Sequence, residues 1–151
     1  MKLSEIMTKE VTTVPPDMSV KEVAKKLFEM QISGLPVVDN EGRVVGMITE
    51  KDIIATALPK FIEDKDMVDF SYILNEEPFR KNIAEFENLK VRDIMRKDVL
   101  CVSEDTPVPE VARLMLTKKV RRIPVLRDKK LVGIIARSDI VKVIAKEAGI
   151  I

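Results

Sequence analysis

The chain has 151 residues, 46% of them hydrophobic and 34% charged, and a formal net charge of +1, which fits a globular protein with one core or two small halves sharing one. With no His and a single Cys, it excludes Ser-His-Asp and Cys-His catalysis, His- or Cys-ligated metal centres and an intrachain disulfide framework. The near-neutral charge gives no global field for gripping a polyanion, no apolar run approaches bilayer length, and Met1 to Glu5 opens no secretory h-region. The expectation is a cytoplasmic protein that is no enzyme and crosses no membrane, and its composition does not imply nucleic-acid binding.

Taken in order, Val11 to Val14 predicts a short strand, and Pro15-Pro16-Asp17 predicts a turn. Ser19 and Glu22 form a capping box for a helix whose Val20, Val23, Ala24, Leu27 and Phe28 follow the spacing of one buried stripe. Ser33-Gly34 closes that helix. Leu35 to Val38 predicts a strand, Asn40-Glu41-Gly42 a hairpin turn, and Val44 to Thr49 a further strand. A second helix follows from about Glu50 to Leu58, with Ile53, Ile54 and Ala57 expected to face the sheet.

The same features then recur. Val44-Val45-Gly46-Met47-Ile48-Thr49-Glu50-Lys51-Asp52-Ile53 returns as Leu131-Val132-Gly133-Ile134-Ile135-Ala136-Arg137-Ser138-Asp139-Ile140. Ile94-Met95 answers Ile6-Met7, Val108, Val111, Ala112, Met115 and Leu116 reproduce the helix stripe, and Pro124-Val125 answers Pro36-Val37. Repetition in fixed order marks a duplication: a first repeat over 1–58 and a second over 90–151, each a strand-helix-strand-strand-helix unit of α/β (α+β) class. The connector, 59–89, holds Phe61, Phe70, Tyr72, Phe79 and Phe86, every aromatic residue except Phe28. Disordered segments are poor in aromatics, so one or two short packed helices are expected there.

A duplicated unit with a Gly-hydrophobic-hydrophobic-Thr-x-x-Asp corner, an Asp-Ile-Met lead (Asp93-Ile94-Met95, with Glu5-Ile6-Met7 in the first copy) and a hydrophobic-Pro-Val strand (Leu35-Pro36-Val37, Ile123-Pro124-Val125) resembles the tandem cystathionine β-synthase (CBS) domain pair. The likeness covers nearly the whole chain. It implies two βαββα repeats packed as a pseudo-two-fold intramolecular dimer, the Bateman module, with clefts that commonly take adenosine-containing ligands. It also implies a further homodimer. From the resemblance, Thr13-Val14 and Cys101-Val102 on the first strands contact adenine, with Leu35-Pro36 and Ile123-Pro124 as walls.

Residue chemistry adds to this. A carboxylate accepts hydrogen bonds from both hydroxyls of a ribose, which suits Asp52 and Asp139 at the first turns of their helices. Thr49 offers a hydroxyl to the ribose or a phosphate. Arg121 and Arg122, in the run Lys118 to Arg122, offer guanidinium forks to phosphates, whereas the first copy has Ser33-Gly34 there. Ala136 stands where Thr49 stands in the first copy, and one lost neutral hydrogen bond is worth about 0.5–1.5 kcal/mol. Arg137 is expected to compensate by facing the cleft.

The leading expectation is a regulatory sensor of AMP, ADP or ATP, with no catalytic cofactor and no metal. Its regulated partner would be a separate enzyme or transporter. The alternatives are an S-adenosylmethionine sensor, or a ligand-free interaction or nucleic-acid-binding scaffold motivated by Lys118 to Arg122 and the aromatic connector.

Overall fold

The computed structural model describes residues 1–58 and 75–151, so Phe61, Phe70 and Tyr72 of the connector lie outside the described residues. Two compact units emerge. Among the described residues the first comprises 13–39, 45–58 and 75–97, the second 1–12, 40–44 and 98–151.

In the first unit, helix α1 (Val20–Met30) starts because the Ser19 hydroxyl accepts the Glu22 amide at 3.1 Å. It stops at Gln31, whose φ of 53° is left-handed, while the Ile32 amide returns to the Leu27 carbonyl at 3.2 Å. Strands β1 (Gly34–Val38) and β2 (Val44–Thr49) form a two-stranded sheet. Where a strand was expected over Val11 to Val14, only Val14 is bridged, in parallel to Val37. Pro15 and Pro16 follow and have no N–H with which to extend the ladder.

Helices α2 (Glu50–Ala57), α3 (Glu77–Ala84) and α4 (Val91–Ile94) also belong to this unit, with a 3-10 turn at Glu85–Glu87. Val14, Val23, Leu27, Leu35, Val37, Ile48 and Val91 form its main core. Phe86, buried against Val20 and Ala57, ties the described part of the connector to α1 and α2, and the Asn82 side-chain amide donates to the Ala57 carbonyl at 3.1 Å.

The second unit carries β3 (Val102–Ser103), α5 (Val108–Thr117), β4 (Arg122–Arg127), β5 (Lys130–Ala136) and α6 (Arg137–Glu147). Its sheet has the order β3-β4-β5, parallel in the first pairing and antiparallel in the second. Asp128 and Lys129 at the β4–β5 turn both have positive φ, 50° and 67°, the pattern of a tight hairpin whose twist matches its strands. The core gathers Leu3, Val102, Val111, Met115, Ile123, Val125, Ile135 and Ile140.

The segment leading each repeat in sequence is grouped with the fold of the other repeat. Thr8 bridges antiparallel to Ile134 in the second unit, and Arg96 bridges antiparallel to Met47 in the first. At both glycines a side chain would have to displace the methionine that covers it. A Cβ on Gly133 would lie 2.4 Å from the Met7 sulfur, and one on Gly46 2.4 Å from the Met95 sulfur and 3.0 Å from the Arg96 carbonyl.

Three apolar positions depart from the sequence expectation. Phe28 is 84% exposed and Leu116 73% exposed, although both fit the helical stripe. The buried arc of α1 is only as wide as Val20, Val23 and Leu27, and the residue after Leu27 stands about 100° further round a helix of 3.6 residues per turn. Ile54, expected to face the sheet, is 58% exposed and lines an open groove of about 600 Å3 with Ile83 and Phe79.

Candidate ligand corners

Each unit assembles one set of the candidate residues. In the first, Val14 lies beside β1: its amide donates to the Pro36 carbonyl at 3.1 Å, and its carbonyl accepts the Val38 amide at 3.0 Å. Val14, Leu35 and Pro36 are buried, and Thr13 is half-buried. The Glu50 amide donates to the Ser33 carbonyl at 2.8 Å, which sets the start of α2 against the start of β1. Thr49 and Asp52 therefore stand at the end of the sheet where β1 begins.

Thr49 is the N-cap of α2. Its hydroxyl accepts the Asp52 amide at 3.4 Å and donates to Asp52 Oδ2 at 3.0 Å, and its own amide donates to the same oxygen at 2.9 Å. The Thr49 proton is thus held by Asp52 itself. Asp52 Oδ1 has no partner among the described residues. This reciprocal box stabilises the helix start, so Thr49→Ala is expected to lower stability by about 1 kcal/mol in urea unfolding. No change would mean that the cap contributes nothing.

The second unit repeats the frame. Val102 pairs in parallel with Val125, as Val14 does with Val37, and the Arg137 amide donates to the Arg121 carbonyl at 3.0 Å, as Glu50 does to Ser33. Ile123 and Pro124 are buried on β4, and Arg122 stands opposite Ala136 in the strand register. Asp139 Oδ2 accepts the Ala136 amide at 2.7 Å. Alanine has no hydroxyl to complete the box, so Asp139 keeps more free acceptor capacity than Asp52 does.

Arg137 is held by backbone carbonyls. Its Nε donates to the Val120 carbonyl at 3.1 Å and its Nη2 to the Met115 carbonyl at 3.5 Å, so the guanidinium is bound to backbone at the end of α5. Arg121 is exposed and Arg122 half-buried. Cys101 is half-buried, and burial pushes its thiol above the usual range, which keeps it protonated at neutral pH and suits a packing role.

Two lysines escaped the sequence reading. Lys142 and Lys146 line a cavity of about 180 Å3 together with Asp139, Glu5 and Ile6. The available signal was their spacing of three and seven residues after Asp139, which places all three on one helix face. The first copy offers only Ala55 opposite Lys142.

Comparison with known proteins fits this frame. The family model described as CBS domain matches residues 3–58 and 91–146. Inosine-5'-monophosphate dehydrogenase of Methanocaldococcus jannaschii is 38% identical over 142 residues, which are 93% of this chain but 23% of the dehydrogenase. The crystal structure of CBSX2 in complex with AMP superposes with a TM-score of 0.73 at 29% identity, covering 97% of this chain and 98% of CBSX2. The CBS domain pair of protein MJ0100 in complex with 5'-methylthioadenosine and S-adenosyl-L-methionine gives 0.69 at 28% identity, covering 97% and 98%.

Proposed function

The chain belongs to the CBS domain family, and we propose that it is a non-catalytic regulatory module whose repeats bind an adenosine-containing ligand, AMP, ADP or ATP ahead of S-adenosylmethionine. The observation that carries this reading is the pair of carboxylates, Asp52 and Asp139, each fixed through Oδ2 at a helix start while Oδ1 has no partner among the described residues. A fixed carboxylate with a free oxygen is preorganised for ribose hydroxyls.

Val14 with Leu35-Pro36, and Val102 with Ile123-Pro124, supply apolar strand surface for a flat base. Arg121 and Arg122 supply cations for phosphates, and the first repeat has Ser33-Gly34 at their positions. The AMP complex of CBSX2 and the adenosyl complexes of MJ0100 support the ligand class. Binding shifts the population of conformers, and a separate enzyme or transporter in the cytoplasm reads that shift. Among the described residues, no helix is long and apolar enough to cross a membrane.

The test is calorimetric titration of the purified chain with AMP, ADP, ATP and S-adenosylmethionine. Saturable binding of one of them with a dissociation constant below the millimolar range is expected. Silence from all four would overturn the sensor reading and leave a ligand-free scaffold.

A second copy of the chain is the proposed cover for the apolar side chains that each repeat leaves exposed. Phe28 and Leu116 occupy equivalent positions and are 84% and 73% exposed, and Ile54 and Val141, also equivalent, are 58% and 63% exposed. Large apolar side chains left in water at duplicated positions mark a self-association surface. Light scattering on a sizing column is expected to give the dimer mass for the natural chain and the monomer mass for Phe28→Asp with Leu116→Asp. A monomer in both would refute it.

A further inference from the structure

The two repeats share their backbone path at the end of the first helix but differ in what secures it. In the first, Gln31 has φ 53°, the Ile32 amide donates to the Leu27 carbonyl at 3.2 Å, and the Glu50 amide donates to the Ser33 carbonyl at 2.8 Å. In the second, Lys119 has φ 55°, the Val120 amide donates to the Met115 carbonyl at 3.1 Å, and the Arg137 amide donates to the Arg121 carbonyl at 3.0 Å. The frames coincide.

The side chain does not. Glu50 carries only acceptors and cannot bind a carbonyl, whereas Arg137 carries a fork of donors. That fork reaches the Val120 carbonyl at 3.1 Å and the Met115 carbonyl at 3.5 Å, the latter among the carbonyls that a helix end leaves without an intrahelical donor. The residues so tied down, Lys118 to Arg122, are the basic run. In the first repeat the matching loop carries Ser33-Gly34 in place of Arg121-Arg122, and Glu50 stands in place of Arg137.

We propose that Arg137 is a positioning residue: its guanidinium straps the Lys118–Arg122 loop to the start of the helix carrying Asp139, so that the loop's cations are in place before an anionic ligand arrives. The assignment rests on the nucleotide reading above. A loop already ordered loses less freedom on binding, which favours the ligand that needs the loop and is neutral for the ligand that does not. AMP and adenosine differ by the one phosphate that separates these cases.

The experiment uses the full chain as wild type, Arg137→Ala and Arg137→Lys. Each is titrated with AMP and with adenosine, and amide hydrogen exchange is followed at Lys119 to Arg122 without ligand. In Arg137→Ala the Val120 amide is expected to exchange faster and AMP affinity to fall about 2- to 12-fold, the equivalent of one side chain that must be ordered on binding. Adenosine affinity stays level, and Arg137→Lys recovers part of the AMP loss.

Equal losses for AMP and adenosine would assign Arg137 to general stability and overturn the proposal. Selective AMP loss with unchanged exchange would mean direct phosphate contact and overturn it too, as would AMP affinity at the wild-type level. If neither compound binds the wild type, the nucleotide reading itself fails and the proposal falls with it.

Discussion

Ile135→Ala is expected to lower the free energy of unfolding by about 2–5 kcal/mol, the range for an isoleucine truncated inside a close-packed core. Ile135 has no exposed surface and lies on β5 among Leu3, Val102, Val111, Ile123 and Val125. It occupies the inward position next to Gly133, whose neighbour Met7 presses its sulfur into the space a side chain would fill. Little room remains for surrounding groups to close the cavity, which puts the cost in the upper half of the range.

Ile48→Ala is the equivalent change in the first unit, at the same zero exposure and among Val14, Leu35 and Val37. For a chain of this size each kcal/mol shifts the midpoint by roughly 2–4 °C, so either variant should melt roughly 4–20 °C below the natural chain. Circular dichroism melts, with urea unfolding to supply the free energy, decide the matter. A loss under about 1 kcal/mol at Ile135 would mean that this core is loosely packed and relaxes around the deletion.

The duplication was legible because it is written in the residues themselves. Pairs such as Gly46 with Gly133 and Asp52 with Asp139 recur in order, and the alternation of buried and half-buried residues along Val44–Thr49 and Lys130–Ala136 follows from a strand's period of two. Which apolar residues stay outside was not legible. Phe28 and Leu116 continue a helical stripe, and periodicity carries no information on how wide an arc the neighbouring elements cover.

The exchange of lead segments was hidden for a similar reason. Ile6-Met7 and Ile94-Met95 declare themselves apolar, but a short apolar segment does not state which sheet it will cover; the glycine that receives each methionine lies in the other repeat. The backbone bonds of Arg137 were hidden because its side chain reaches Val120 and Met115, residues 17 and 22 positions away. The Thr-x-x-Asp pattern is ambiguous by nature, since the same spacing that offers a carboxylate to a ribose also closes a capping box, and Thr49 with Asp52 does close one.

Asp52→Asn and Asp139→Asn keep an oxygen able to accept the amides of Thr49 and Ala136, so the helix starts survive, but they remove the charge that strengthens bonds from ribose hydroxyls. A hydrogen bond to a charged group is worth about 1.5–3 kcal/mol, so the corner that binds AMP should lose roughly 10- to 100-fold in affinity when its own Asp is changed. Asp139 is expected to show the larger loss: its corner has Arg121 and Arg122, and its Oδ2 accepts only the Ala136 amide, whereas Asp52 Oδ2 is also bonded by the Thr49 hydroxyl. Melting in the presence of ligand gives an independent check. At about 100 times the dissociation constant, AMP should stabilise the natural chain by roughly 2.7 kcal/mol per occupied site, and Asp139→Asn should lose most of that gain at the same concentration while melting near the natural chain without ligand. Should both variants bind AMP as tightly as the natural chain does, the carboxylates are helix caps alone and the ligand is held elsewhere.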